Sequence, residues 1–174
     1  MPFIYEIIVI GFMLVVNAVF AAYEMALASI SRARLIVLVN RKRKGATEAA
    51  FMKDRMEASL AVVQVGLTLG GAVAAATGGL GVTENVVPYL KIDLAIPTPW
   101  AEILGLVFLI VPLSTITIVF AELVPKVYAL NNREWICLTL SPVMKVLSFI
   151  AYPVISILEK IVKWILSVGG KSRY

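Results

Sequence analysis

Between Ile4 and Ser29 the chain is almost wholly apolar for longer than a bilayer requires, yet this run holds Glu6, Asn17 and Glu24. About 20 apolar residues cross the hydrocarbon core as a helix. A carboxylate in that core costs roughly 2.5–3.5 kcal/mol on insertion scales, so it turns toward protein or a water-filled path rather than lipid. At about 100° per residue, the offsets of 11 and 7 between the three polar positions return them to nearly one helix face. A stripe of this kind marks an ion or substrate route, or a polar packing seam.

Two further runs are long enough to span. Ala58–Val82 carries no charge, and Ile103–Ala121 is uncharged and ends on Glu122. With 174 residues, 60% of them hydrophobic, and a mean hydropathy of +0.92, the chain falls in the membrane class. The expected fold is an all-α integral membrane domain. It has three transmembrane helices, short cytoplasmic helices and a C-terminal amphipathic juxtamembrane helix, within residues 1–168. Residues 169–174 are expected to be a linker or tail.

Basic residues set the orientation. Arg32, Arg34, Arg41, Lys42, Arg43, Lys44, Lys53 and Arg55 all lie between the first two spans, whereas only Lys91 lies between the second and third. The positive-inside rule makes the first connection cytoplasmic and puts the N-terminus outside and the C-terminus in the cytoplasm. The expected location is the cell's inner (plasma) membrane, crossed several times. No Lys or Arg precedes Arg32, so the start lacks the basic region of a cleaved signal peptide. Nucleic acid is the rival partner for the Arg41–Lys44 cluster. Beside a span, topology and anionic membrane lipid account for it better, and no nucleic-acid binding is expected.

Residues 83–100, with three prolines, read as a compact external loop that Trp100 anchors at the interface. Residues 45–57 read as a short cytoplasmic helix, with Gly45 closing the element before it. The uncharged run 146–158 is short for a span. Lys145, Ser148, Tyr152, Ser156, Glu159, Lys160, Lys163 and Ser167 recur every three or four residues opposite an apolar face. That pattern predicts a helix lying in the interface, bent at Pro153.

The chemical inventory is narrow. There is no histidine and one cysteine, Cys137, so imidazole ligands, disulfides and Ser-His or Cys-His nucleophiles are all missing. No enzyme activity, catalytic residue or bound organic cofactor is expected. What remains is hard oxygen chemistry, which suits Mg²⁺, Ca²⁺, Mn²⁺ or Na⁺. On the second span Gln64 and Thr68 sit at i, i+4 among Gly66, Gly70 and Gly71. These glycines permit close packing, or free carbonyls as ligands. On the third span, Thr115 lies seven residues before Glu122, on nearly the same face. Pro125 removes a donor and frees the carbonyl near Ala121. Glu122 and that carbonyl make a cation site, or Glu122 pairs with Lys126 at i, i+4.

Three motifs carry a resemblance. Asn17-Ala18-Val19-Phe20-Ala21-Ala22-Tyr23-Glu24-Met25-Ala26-Leu27, followed by Ser29 and Ser31-Arg32-Ala33-Arg34-Leu35, resembles the opening of the CorC/CNNM transmembrane domain. So do Val63-Gln64-Val65-Gly66-Leu67-Thr68-Leu69 and Ala121-Glu122-Leu123-Val124-Pro125-Lys126. The motifs lie in order on successive spans and cover nearly the whole chain. The resemblance implies magnesium efflux coupled to sodium, by homodimers with three spans and a juxtamembrane belt helix. Cytoplasmic CBS domains, which normally follow in the family, are absent from these residues. Ala21 and Leu67 stand where some members carry serine and asparagine. The candidate ion ligands are therefore Asn17 and Glu24 on the first span, Gln64, Gly66 and Thr68 on the second, and Ala121 with Glu122 on the third. The expected partners are Mg²⁺ as the transported ion, Na⁺ as the coupling ion, membrane lipid and a second copy. The rival function is a structural or regulatory membrane module that transports nothing.

The topology is directly testable. Cysteines introduced beside Lys91 are expected to react with an impermeant reagent on intact cells, and those beside Lys42 only after permeabilisation. The reverse pattern would invert the orientation.

Overall fold

The computed structural model describes residues 3–92 and 97–168, and these are helical almost throughout. Helix α1 (Phe3–Ser29) is followed by α2 (Arg32–Asn40) and α3 (Ala46–Asp54). Helix α4 (Met56–Gly81) continues through a π-helical segment, Val82–Val86, into α5 (Val87–Ile92). Helix α6 (Thr98–Ile116) continues through a second π-helical segment, Thr117–Leu123, into α7 (Val124–Asn131), and α8 (Arg133–Val168) ends the chain. The all-α membrane fold is as expected, and the tail at 169–174 lies outside the described residues.

Side chains of α1 meet glycines of α4 in antiparallel order. A Cβ on Gly66 would press into the Phe20 ring, one on Gly70 would overlap Asn17 Oδ1, and one on Gly81 would overlap Glu6 Oε2. The polar stripe of α1 thus faces protein, and Glu6 and Asn17 are each only 6% exposed. The close-packing reading of Gly66 and Gly70 holds, and the contact lies within one chain.

The hydrophobic core sits at the C-terminal end of α1. Tyr23, Leu27 and Ile30 pack there against Leu35 of α2, Met52 of α3, Val63 of α4, and Cys137 and Met144 of α8. Toward the other end the helices present apolar side chains outward, as lipid-facing surfaces do: Phe12, Phe108 and Val111 are exposed. Polar links tie the core end together. Ser31 caps α2 by accepting from the Arg34 amide at 3.2 Å. Lys53 of α3 donates to the Leu27 and Ala28 carbonyls at 2.7 and 3.1 Å, satisfying the last turn of α1. Tyr23 and Ser141 hydroxyls meet at 3.1 Å inside the core.

Three sequence expectations change. The region 83–100 is not a loop throughout: helix runs to Ile92 and resumes at Thr98, with residues 93–96 outside the described set. Both π segments end at a valine followed by proline, Val87-Pro88 and Val124-Pro125. Proline offers no N–H and its ring crowds the carbonyl four residues back. Widening the preceding turn by one residue relieves that crowding and lets the helix continue.

Gly45 does not close α2. The amide of Arg43 bonds the Leu38 carbonyl and that of Lys42 bonds Val39, with Lys42 left-handed at φ 52°. This is the Schellman arrangement, with lysine where glycine is usual. Gly45, at φ 77°, instead opens α3, pressed onto α8 at the Leu138 carbonyl. Pro142 cannot donate to that carbonyl.

The C-terminal segment is one continuous 36-residue helix with Pro142 and Pro153 inside it. Among the described residues four helices, including Arg133–Val162, are long and apolar enough to cross a membrane. Up to Ser156, helix α8 packs beside α3 and the first turns of α4. Ser148, Tyr152, Ile155 and Ser156 line a small recess of about 80 Å³ with Phe51, Met52, Arg55, Ala58, Ser59 and Val62. Ser148, Tyr152 and Ser156 of its polar stripe therefore border α3 and the first turns of α4, while Ile150, Val154 and Ile161 face outward. The side chains of Glu159, Lys163 and Ser167 lie outside the described set.

Gly45→Ala combines a left-handed backbone with overlap on the Leu138 carbonyl. It is expected to destabilise the fold by about 1–3 kcal/mol, read as a lower unfolding temperature in detergent. Wild-type stability would show that the turn relaxes freely.

Candidate functional site

Three membrane helices converge on a cleft of about 290 Å³ lined by Asn17 and Glu24 of α1, Gln64, Leu67, Thr68 and Gly71 of α4, Thr117, Ala121 and Glu122 of the π segment, and Lys126 of α7. Asn17 lies near the middle of α1, hence near mid-membrane depth, and Glu24 lies two turns toward the core end. Asn17 Oδ1 is buried without a hydrogen-bond partner among the described residues. A buried amide oxygen without a donor costs about 1–3 kcal/mol. Such an atom is an acceptor held in reserve.

The hydroxyls are oriented by the helices themselves. Thr68 donates to the Gln64 carbonyl at 2.8 Å and Thr117 to the Leu113 carbonyl at 2.7 Å. With the proton committed to the backbone, the oxygen lone pairs are what each hydroxyl offers to the cleft.

Charge is concentrated at the core end of the cleft. Lys126 Nζ sits 2.9 Å from Glu122 Oε1 and 3.3 Å from Glu24 Oε2, joining the first and third spans. The pairing of Glu122 with Lys126 is therefore present, and Glu24 shares it. Two carboxylates and one ammonium leave a net charge of −1. Among the described residues no group of three or more His, Cys, Asp or Glu side chains gathers. Any cation here must be held by two carboxylates and neutral oxygens.

Six of the seven predicted ligands, Asn17, Glu24, Gln64, Thr68, Ala121 and Glu122, line this cleft. Gly66 does not, because its face is taken by the Phe20 ring. Thr115 is also outside it, while Thr117, which the sequence reasoning did not pair with Glu122, is inside. The cause is the π segment. A period of 3.6 puts residues seven apart on one face, but the i→i+5 register aligns Thr117 with Glu122 instead. Only the Val-Pro step hinted at that change. Pro125 can donate neither to the Phe120 carbonyl of the π register nor to the Ala121 carbonyl of the α register.

The cleft continues along the seam. A second recess of about 310 Å³ shares Asn17, Gly71 and Thr117 with it. A third, of about 340 Å³, shares Leu113 with the second and ends at Glu6 and Gly81. Together they follow α1 from Glu24 to Glu6.

Residues 7–174 match the family described as the Cyclin M transmembrane N-terminal domain, CNNM. The chain belongs to this family. It is also similar to a UPF0053 protein of Synechocystis sp., 29% identical over 153 residues. That alignment covers 88% of this chain and 34% of the relative, so the chain spans about a third of that protein's length. As a CNNM membrane domain it is a multi-pass membrane protein, and the converging polar groups lie on the segments that carry the three sequence motifs.

Asn17 and Gly70 are expected to act as a pair. Gly70→Ala should destabilise the domain by about 1–3 kcal/mol by overpacking, and less in an Asn17→Ala background. Additive costs in that double-mutant cycle would show that the two residues do not touch.

Proposed function

We propose that this CNNM domain exports Mg²⁺ across the plasma membrane in exchange for Na⁺, as a homodimer that opens its cleft alternately to each side. The observation that carries the reading is the buried, unpartnered oxygen of Asn17, a residue that lines the same cleft as two carboxylates at the meeting point of three membrane helices. Hard oxygen donors suit Mg²⁺, which takes about six of them in octahedral array. Asn17, Gln64, Thr68, Thr117, Glu24 and Glu122 supply that chemistry from three elements.

Charge supports a two-ion cycle. With Lys126 in place the cleft carries one net negative charge, matching one Na⁺. With Lys126 withdrawn the two carboxylates match one divalent cation. Between membrane helices an unmatched charge is costly, so each ion favours one position of the lysine. The row of three recesses offers a route along α1, with Glu6 toward the outer end.

Three spans with α8 as an interfacial belt is the arrangement favoured by packing. From Ile136 to Ile155 the helix advances about 28 Å, yet Ile155 still lies beside Ser59 and Val62 in the first turns of α4. A helix crossing alongside α4 would have left that level. The small residues Ala72, Ala75 and Ala76 remain exposed on α4 and permit a second copy to approach closely.

Glu122→Gln keeps the shape of the side chain and removes its charge. Mg²⁺ efflux from proteoliposomes is expected to fall at least about tenfold, for a loss of more than about 1.4 kcal/mol of ion binding, with the protein still folded. Lys126→Gln should tighten Mg²⁺ binding by removing an internal competitor. Unchanged Mg²⁺ flux and affinity in both variants would leave a structural salt bridge and favour a non-transporting module.

A further inference from the structure

The eight basic residues between the first two membrane helices divide into two groups. Arg32 pairs with Asp54 at 2.7 Å, Arg34 grips Glu134 through two bonds of 2.6 and 3.1 Å, Lys53 caps α1, and Arg55 lies 4.6 Å over the Phe51 ring. Each of these has a structural partner. Arg41, Lys42 and Lys44 form no ion pair among the described residues, and Arg43 faces a Glu134 already engaged by Arg34.

Lys42, Arg43 and Lys44 line one side of an open cleft of about 810 Å³, and Trp135, Leu138 and Pro142 of α8 line the other, together with Glu134, whose charge Arg34 already matches. The backbone makes this placement deliberate. Lys42 holds the left-handed position of the α2 cap at φ 52°, where a non-glycine residue gives up about 1–2 kcal/mol relative to the right-handed region. Glycine would serve the cap better. A lysine that is strained, unpaired and aimed at a cleft between two other cations makes an anion site the economical explanation.

The far wall identifies the anion. Trp135 is 64% exposed, and Val143 and Val146 on the same helix are exposed as well. An indole between a cationic turn and an outward apolar helix face is the arrangement found at the headgroup level of a bilayer. The cleft lies between the α2–α3 turn and the first turns of α8, just after α7 ends at Asn131, and the basic turn beside a membrane helix belongs at the bilayer surface. We propose that this cleft binds the phosphate of an anionic phospholipid headgroup, with the acyl chains lying along the apolar face of α8. Phosphate oxygens accept from Lys42, Arg43 and Lys44, and each cation near such a headgroup strengthens attraction to the anionic leaflet. The site is independent of the ion cleft between the spans and stands whether or not Mg²⁺ is the cargo.

The test uses purified protein in neutral detergent, titrated with phosphatidylglycerol or phosphatidylcholine, with retained lipid counted by native mass spectrometry. Wild type is expected to hold phosphatidylglycerol and not phosphatidylcholine. Lys42→Gly combined with Lys44→Gln should weaken that binding by about thirtyfold. Lys42→Gly alone should lose affinity while unfolding no earlier than wild type, which separates lost recognition from lost fold. Arg41→Gln removes a charge one residue away but outside the cleft, and should change binding little. Equal losses in Arg41→Gln and Lys42→Gly would mean diffuse attraction and overturn the site. Full competition by soluble glycerol phosphate at matched concentration would make it a site for a free anion and overturn the lipid assignment. Retained phosphatidylglycerol in the double variant would overturn it outright.

Discussion

Polar groups on a membrane helix need a neighbour close enough to shut lipid out, and in this chain the glycines of α4 meet that need for α1. Gly81 receives Glu6 and Gly70 receives Asn17, eleven residues apart on both helices. Antiparallel helices of equal rise keep such a register over their whole length. A Cβ at either position would push the helices apart and open the polar stripe to hydrocarbon, where it is most costly. The third span then closes on a wall already built, and the cleft is the space left where α6 and α7 cannot follow α1 as closely as α4 does.

The third span meets this wall with an irregular helix. The π turn ahead of Val124-Pro125 is a local solution to proline crowding, and it also decides which side chains reach the cleft. Thr117 and Glu122 share a face because of it, and Glu122 then stands one α-turn from Lys126. The ammonium joins carboxylates from the first and third spans, so one ion triad holds together helices that share few other polar links.

Much of this was legible from residue spacing. Three long apolar runs marked helices able to span, the 3.6-residue period marked the inward stripe of α1, and the spacing of Gly66 and Gly70 marked the close approach. What escaped had definite causes. Thr117 was hidden because the period itself changes inside the helix. The helix through 83–92 was hidden because Pro88 looks like a breaker until the widened turn before it is seen. At the end of α2 the sequence offers a glycine nearby, but the hydrogen bonds of Lys42 and Arg43 show that lysine takes the left-handed position. The polar stripe of α8 was visible, but whether it faced water or protein depended on Phe51, Ser59 and Val62, residues nearly a hundred positions away.

The order of synthesis gives the ion triad a further meaning. Glu24 leaves the ribosome about a hundred residues before Lys126, which at typical rates is about 5–20 seconds. During that interval the first helix carries a carboxylate with no ammonium beside it, and Asn17 and Glu6 have no glycine wall until α4 arrives. The first span is therefore a provisional guest in the bilayer, free to tilt or slide until its later neighbours are made. Its polar stripe is covered first, by the glycines of α4, and its charge is matched last, when the third helix brings Lys126 to a carboxylate the first one has held open.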